Sequence, residues 1–288
     1  MYPQPEERGI ILSHNNQKKI AVINDFSGFG RCSITAALPI ISAMGIQCCA
    51  VPTAIFSNHT GYAEYFFDDY TDKMEAYFSM WKKLDLKFEG IATGFLGSKH
   101  QIKIVERFLN EFTDKKTVVV VDPVMGDNGQ LYSTYTAEMC DELKKLTPMA
   151  DIITPNLTEA CILTDTPYIY GITAEILLDI ARKLCIGRTE RVVITGIPNG
   201  NMLSNFVYER NGAYSVLNTI KLGDERAGTG DVFASIIAAD AVNGMDFTQS
   251  VKKAGDFIAK AVKRSIELDL PAQDGICFEE LLGELMLK

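Results

Sequence analysis

Strand-length apolar runs alternating with helix-length segments predict an α/β fold: a mostly parallel central sheet covered by helices, with a late antiparallel hairpin. Three observations carry this expectation. KKIAVIND (18–25) opens a βαβ pattern, the alternation repeats as far as residue 196, and several apolar runs end in polar residues, where open α/β sheets collect ligands.

Taken in order, KKIAVIND is a compact apolar run of the kind buried on both faces of a parallel sheet. SITAALPIISAMG (33–45) reads as a helix that stops at glycine, and QCCAVPT (47–53) as the next strand. FEGIATG (88–94), TVVVVDP (117–123), ADIITPN (150–156) and RVVITG (191–196) continue the strand series. SKHQIKIVERFLNEF (98–112) and TAEMCDELKKL (136–146) supply helices between them. In NFVYERNGAYSVLNTI (205–220), two alternating segments flank Asn211–Gly212, a two-residue hairpin signal. DVFASIIAADAV, TQSVKKAGDFIAKAVKRSI and FEELLGELM are expected as three closing helices. Residues 1–17 are expected to form a mobile leader and 18–288 a single domain.

Composition narrows the function classes. With 288 residues, 47% of them hydrophobic and 23% charged, the chain has the balance of a soluble globular protein. A formal charge of −9, with scattered basic residues, argues against a nucleic-acid surface, which needs concentrated lysine and arginine. No run of eighteen apolar residues and no cleavable signal are present, so neither membrane insertion nor secretion is indicated and a cytoplasmic location is expected. Seven cysteines without paired CxxC spacing fit reduced thiols, and three isolated histidines make no zinc site.

The chemistry concentrates in AGTGD (227–231). Glycines let successive N–H groups turn inward ahead of a helix, which makes an anion cradle; read alone, the same residues serve equally as a plain helix cap. Polar strand ends add Asn24–Asp25, Asp122–Pro123, Thr154–Pro155–Asn156 with Glu159, and Thr195–Gly196. Asn156 and Glu159 also have the spacing of a capping box, and Asp122 and Asp127 are each compatible with ordinary turns. Together these carboxylates suit Mg²⁺ and its water shell. An aspartate beside an anion cradle suits phosphoryl transfer, with Asp231 as the base that accepts a hydroxyl proton. Neither GxxxxGK[ST] nor GxGxxG is present, so neither common nucleotide motif applies, and a nicotinamide-dependent oxidoreductase lacks its glycine fingerprint.

In this order, NDFSGFG, FSNHTGY (56–62), DPVMGD (122–127), ADIITPNLTEA (150–160), VVITG (192–196) and GTGD (228–231) resemble the pyridoxal kinase branch of the ribokinase-like superfamily. The resemblance spans nearly the whole chain after the leader. It implies a three-layer ribokinase-like fold and ATP-dependent phosphorylation of the 5′-hydroxymethyl group of a vitamin B6 compound. Gly228, Thr229 and Gly230 would then form the anion hole and Asp231 the base. Asp127, Thr154, Asn156, Glu159, Thr195, Gly196 and Thr229 would surround ATP, and Asp122 and Glu159 would organise Mg²⁺ through water. Asp25, Phe56, Thr60 and Phe95 would line the pyridine ring. A homodimer and a monovalent cation such as K⁺ belong to the same expectation.

Two positions depart from the pattern of that branch, where a serine usually stands at the place of Asp25 and a tyrosine often at that of Phe95. Asp25 with Ser27–Gly28 instead resembles the DPSGG-like start of hydroxymethylpyrimidine kinases, the alternative assignment. A carboxylate at 25 is expected to favour the ammonium of pyridoxamine, or else to cap the following turn. Cys32 is expected as a packed small residue rather than a reactive thiol. His59 is a candidate substrate contact or a satisfied structural donor, and Tyr62, Tyr65, Phe66, Phe67 and Tyr70 are expected to serve packing. A non-catalytic nucleotide-binding regulator is the rival of a different class, which the intact base and cradle disfavour.

Overall fold

β-branched residues dominate the central strands, and that composition places them where both faces are covered. The computed structural model describes residues 13–286, and residues 1–12 of the expected leader lie outside them. Residues 13–17 turn back on the domain: the Asn15 side chain donates to the Asp85 carbonyl and accepts from the Lys87 N–H, each at 2.9 Å.

The elements follow in chain order as β1 (Lys19–Phe29), α1 (Ser33–Ala43), β2 (Gln47–Asn58), β3 (Phe67–Asp69), α2 (Thr71–Lys83), β4 (Gly90–Thr93), α3 (Lys99–Phe112), β5 (Val118–Val121) and β6 (Gly126–Asp127). Then come β7 (Gln130–Leu131), α4 (Ala137–Leu143), β8 (Ile152–Ile153), α5 (Leu157–Leu163), α6 (Ala174–Leu184), β9 (Arg191–Asn199), β10 (Met202–Glu209), β11 (Tyr214–Ile220), α7 (Thr229–Asn243) and α8 (Phe247–Glu267). Nine strands form one sheet in the order β11-β10-β9-β8-β5-β4-β1-β2-β3. From β9 to β2 all neighbours are parallel, while β9-β10-β11 and β2-β3 are antiparallel.

One apolar layer joins the sheet to α2 through α6 and holds Phe78, Phe108, Ile153 and Ile180. The other joins it to α1, α7 and α8, with Ile40, Ile236 and Phe257. The result is the three-layer arrangement expected from the alternation. Side-chain oxygens start several helices, as Ser98, Thr173 and Asp246 accept the N–H groups of Gln101, Ile176 and Gln249.

The hairpin turns where Asn211–Gly212 predicts, with Gly212 at φ 95° and the Asn211 side chain accepting the Ala213 N–H at 2.8 Å. It is one half of a three-stranded meander, because β9 continues past Gly196 to a second turn at Gly200. The expected closing helix FEELLGELM is instead a short 3₁₀ segment, Glu279–Glu284. It contains Gly283 and is tied to α8 by Glu280 to Arg264 and Glu284 to Lys260, so tertiary ion pairs replace helical propagation. Helices α2 and α6, edge strand β3 and the β6-β7 hairpin are among the elements beyond those named from the sequence.

Strand β1 also runs further than expected. Beyond Asn24 its pairing with β2 shifts register and resumes at Phe26 opposite Ile55. Neighbouring β4 stops at Thr93, opposite Ile23, so Asn24 stands where β1 loses one of its two partners. Such irregularities re-aim side chains at strand ends.

Candidate active site

The cradle forms at the start of α7. Gly228 is left-handed (φ 75°, ψ 1°), and a Cβ added there would stand 1.8 Å from the Arg31 carbonyl oxygen. Only glycine satisfies both demands. The next residues, Thr229, Gly230 and Asp231, occupy the first turn of a 15-residue helix, whose unpaired N–H groups favour anions.

Asp231 is fixed by two donors from other parts of the chain. The Asn24 amide Nδ2 donates to its Oδ1 at 2.9 Å, and the backbone N–H of Ser33 also donates to its carboxylate. Burial pushes the Asp231 carboxyl up to about 6, against the pull of the Ser33 and Asn24 donors and with help from the charge of Asp25. Asp122 follows β5 and accepts from the Thr154 hydroxyl at 3.2 Å. Burial, and then the charge of Asp231, push Asp122 up to about 7. A Cβ at Gly230 would stand 3.8 Å from Asp122 Oδ2, so this carboxylate flanks the cradle.

Asn156 and Glu159 realise the capping box of α5: Asn156 Oδ1 accepts the Glu159 N–H at 2.9 Å, and Glu159 Oε2 accepts the Asn156 N–H at 2.8 Å. They do more than cap. Glu159 Oε1 accepts the Met125 N–H at 3.1 Å and Asn156 Nδ2 donates to the Gly126 carbonyl at 2.8 Å, which pins the turn leading to Asp127. Burial holds the Glu159 carboxyl well above the usual range, with the charge of Asp122 second. Asp127 itself is exposed, and its neighbour Asn128 donates to Glu225 at 3.2 Å, bringing the β6-β7 hairpin to the segment before the cradle. Thr195 donates its N–H to the Pro155 carbonyl at 2.9 Å, and Gly196 (φ 66°) lies exposed beside it.

Asp122, Glu159 and Asp231 are bonded to hydroxyl, amide and backbone N–H groups, and their charges oppose one another. That donor set fits a hard divalent cation held through carboxylate oxygen and water, as Mg²⁺ prefers. Among the described residues, no group of three or more His, Cys, Asp or Glu side chains is close enough to hold a metal by itself.

On the other side of Asn24, Asp25 is buried and both its oxygens are taken. Oδ1 accepts the Ser33 hydroxyl at 2.6 Å and Oδ2 the Ser27 hydroxyl at 2.9 Å. Asp25 thus accepts hydroxyls from its own strand and from the start of α1, and burial raises its pKa. Phe56 and Phe95 do come together, with centroids 6.4 Å apart, and Phe67 and Tyr65 flank Phe56 at 4.9 and 5.8 Å. Tyr135, which sequence reasoning missed, packs 6.2 Å from Phe95 and donates to the Leu96 carbonyl at 2.9 Å. Thr60 is exposed in the loop after β2.

That loop is anchored by its own residues. His59 Nδ1 accepts the Gly61 N–H at 3.1 Å, so Nε2 carries the proton and donates to the Gln273 carbonyl at 2.6 Å. Tyr62 donates to Asp274 at 2.7 Å. His59 is thus a satisfied structural donor. The Cys32 thiol is pushed up to about 12 by burial and then by the charges of Asp231 and Asp25, which keeps it protonated and inert.

Comparison with known proteins places this geometry. The chain is 29% identical over 279 residues to a putative pyridoxal kinase of Schizosaccharomyces pombe, covering 89% of this chain and 83% of that one. A putative phosphomethylpyrimidine kinase from Bacteroides thetaiotaomicron, crystallised in an orthorhombic form with pyridoxal, superposes with a TM-score of 0.90 at 38% identity, covering 94% of this chain and 96% of that one. Pyridoxal kinase from Lactobacillus plantarum superposes with a TM-score of 0.86 at 26% identity, over 94% and 97% of the two chains. The sequence model of the phosphomethylpyrimidine kinase family matches residues 29–274. With a ribokinase-like fold and a match over most of its length, the chain belongs to the phosphomethylpyrimidine kinase family, in the pyridoxal-kinase-like part of the ribokinase superfamily.

Proposed function

We propose that this kinase transfers the γ-phosphoryl group of ATP to the 5′-hydroxymethyl group of vitamin B6 compounds. The observation that carries the reading is Asp231, seated at the first turn of α7 behind a glycine that no other residue can replace, bonded to Asn24 of β1 and close to Asp122 after β5. In that position the carboxylate accepts the proton of the attacking hydroxyl, and the N–H groups of Gly228, Thr229 and Gly230 stabilise charge on the transferring phosphoryl group. Asp122 and Glu159 would hold Mg²⁺ through water, and the ion would neutralise phosphate charge and help orient the nucleotide. Thr154, Asn156, Thr195 and Gly196, with Asp127 on its hairpin, form the nucleotide side.

Phe56 and Phe95 form an aromatic wall suited to a pyridine ring, and the 38% identical relative was crystallised with pyridoxal. Both favour a B6 vitamer. The family match supports hydroxymethylpyrimidine as the second reading. Among the described residues no helix is long and apolar enough to cross a membrane. We place the enzyme in the cytoplasm from the sequence pattern, and as a homodimer on the strength of the resemblance.

ATP consumption measured over pyridoxal, pyridoxamine, pyridoxine and hydroxymethylpyrimidine tests the assignment. Turnover of B6 vitamers, reduced by about two to four orders of magnitude in Asp231→Asn, is expected. Faster turnover of the pyrimidine than of every vitamer would reassign the substrate, and undiminished turnover in the folded variant would remove Asp231 from the mechanism.

A further inference from the structure

We infer that Asn24 is a positioning residue for the base: its amide fixes the Asp231 carboxylate in the orientation that receives the substrate proton. The inference rests on the reading of Asp231 as base and adds a residue to which no role has been given.

The amide has one available orientation. Its oxygen accepts two backbone N–H groups, those of Asp25 at 2.9 Å and Phe95 at 2.8 Å, so the Nδ2 end must face the other way. There it donates to Asp231 Oδ1 at 2.9 Å, across 207 residues of chain. The backbone is arranged to hold it. Asn24 sits at the register shift of β1, where β4 has ended and its turn supplies the Phe95 N–H in place of a ladder bond. Gly94 makes the room, since a Cβ there would lie 2.4 Å from Asn24 Nδ2. Ser33 completes the seat. It stands at φ 53°, a left-handed conformation uncommon for serine, with its hydroxyl on Asp25 and its N–H on Asp231. Asn24 thus joins the turn after β4 and its own strand to one carboxylate in the first turn of α7. A side chain serving only to cap β1 would need its oxygen alone; among the described residues the second, amide end is bonded to the base.

Because Asn24 acts through Asp231, its effect must vanish when Asp231 can no longer accept a proton. The test is a double-mutant cycle in kcat, with KM for both substrates measured in parallel. Asn24→Ala is expected to lower kcat about 30- to 100-fold with both KM values within about twofold, the scale of a small misplacement of a reacting group. In the Asp231→Asn background the same change is expected to alter the residual rate by less than about twofold. Should the alanine variant not fold, Asn24→Asp keeps an acceptor for the two N–H groups while losing the amide donor, and Gly94→Ala displaces the amide sterically; each is expected to show the same split. Equal losses from Asn24→Ala in both backgrounds, or a loss confined to KM, would overturn the positioning role while leaving Asp231 as base. Full activity in Asp231→Asn would instead overturn the base, and the role of Asn24 with it.

Discussion

Replacing Asp231 with asparagine is expected to lower turnover by about two to four orders of magnitude, and to stabilise the fold only where the wild-type carboxylate is charged. In the folded protein burial raises Asp231 from its ordinary 3.8 to about 6. The folded state therefore holds a proton that the unfolded chain releases between those values, and wild-type stability falls as pH rises through that window. At about 1.4 kcal/mol per pH unit, the full penalty above pH 6 is about 3 kcal/mol. Asn24 can still donate to the oxygen of an asparagine, while the new amide end can no longer accept, which is a second cost. That second cost does not depend on pH, so the pH dependence carries the result. Removing the Asp231 charge also relieves Asp122, which acts in the same direction. For a chain of 288 residues, about 2–4 °C per kcal/mol converts 3 kcal/mol into a Tm difference, variant minus wild type, that grows by about 6–12 °C from pH 4 to pH 8. Scanning calorimetry of both proteins across that range measures it. A difference that stays flat, or shrinks as pH rises, would show that the ionised carboxylate is not held against a burial penalty and would refute the reasoning.

Gly228→Ala is expected to lower stability by several kcal/mol and remove nucleotide binding, because its Cβ meets the Arg31 carbonyl at 1.8 Å; thermal unfolding and nucleotide titration check it. Glu159→Gln places an amide donor against the N–H of Met125 or Asn156 but also removes a charge that burial opposes, so its stability relative to wild type is expected to rise with pH in denaturant unfolding. EDTA is expected to stop turnover, and Asp122→Asn to raise the Mg²⁺ concentration for half-maximal rate; an unaltered Mg²⁺ dependence would remove Asp122 from the metal site. Asp25→Ser is expected to lower Tm while leaving the pyridoxamine to pyridoxal ratio of kcat/KM unchanged, since both oxygens of Asp25 are engaged by serines.

The strands were legible because parallel strands covered on both faces are unbroken apolar runs: VVVV needs no partner to be recognised, and Asn211–Gly212 marks a hairpin by backbone conformation alone. Strand β3 was not, since Phe67–Asp69 is a three-residue edge whose pairing depends on the distant β2. The cradle and the carboxylates could be read from residue types at strand ends. The supports of those residues could not. Asn24 gains its role from a 207-residue separation, Ser33 from a backbone conformation, and Tyr135 from packing against Phe95. The two serine hydroxyls on Asp25 could not be read either, because Ser33 reaches it only through the fold of the segment between β1 and α1.

The loop at 271–275 touches both halves of the cleft. Gln273 and Asp274 receive His59 and Tyr62 from the aromatic side, Arg226 donates to the carbonyls of Leu270, Pro271 and Gly275 just before the cradle, and Arg31 forms a backbone bridge with Gly275. During synthesis β1 is made early, yet the segment that braces its far end emerges more than two hundred residues later. A ribosome-bound chain lacking residue 275 carries the central strands without a braced cleft. The contacts that brace the aromatic side and the cradle are therefore completed together, by one of the last segments to be made.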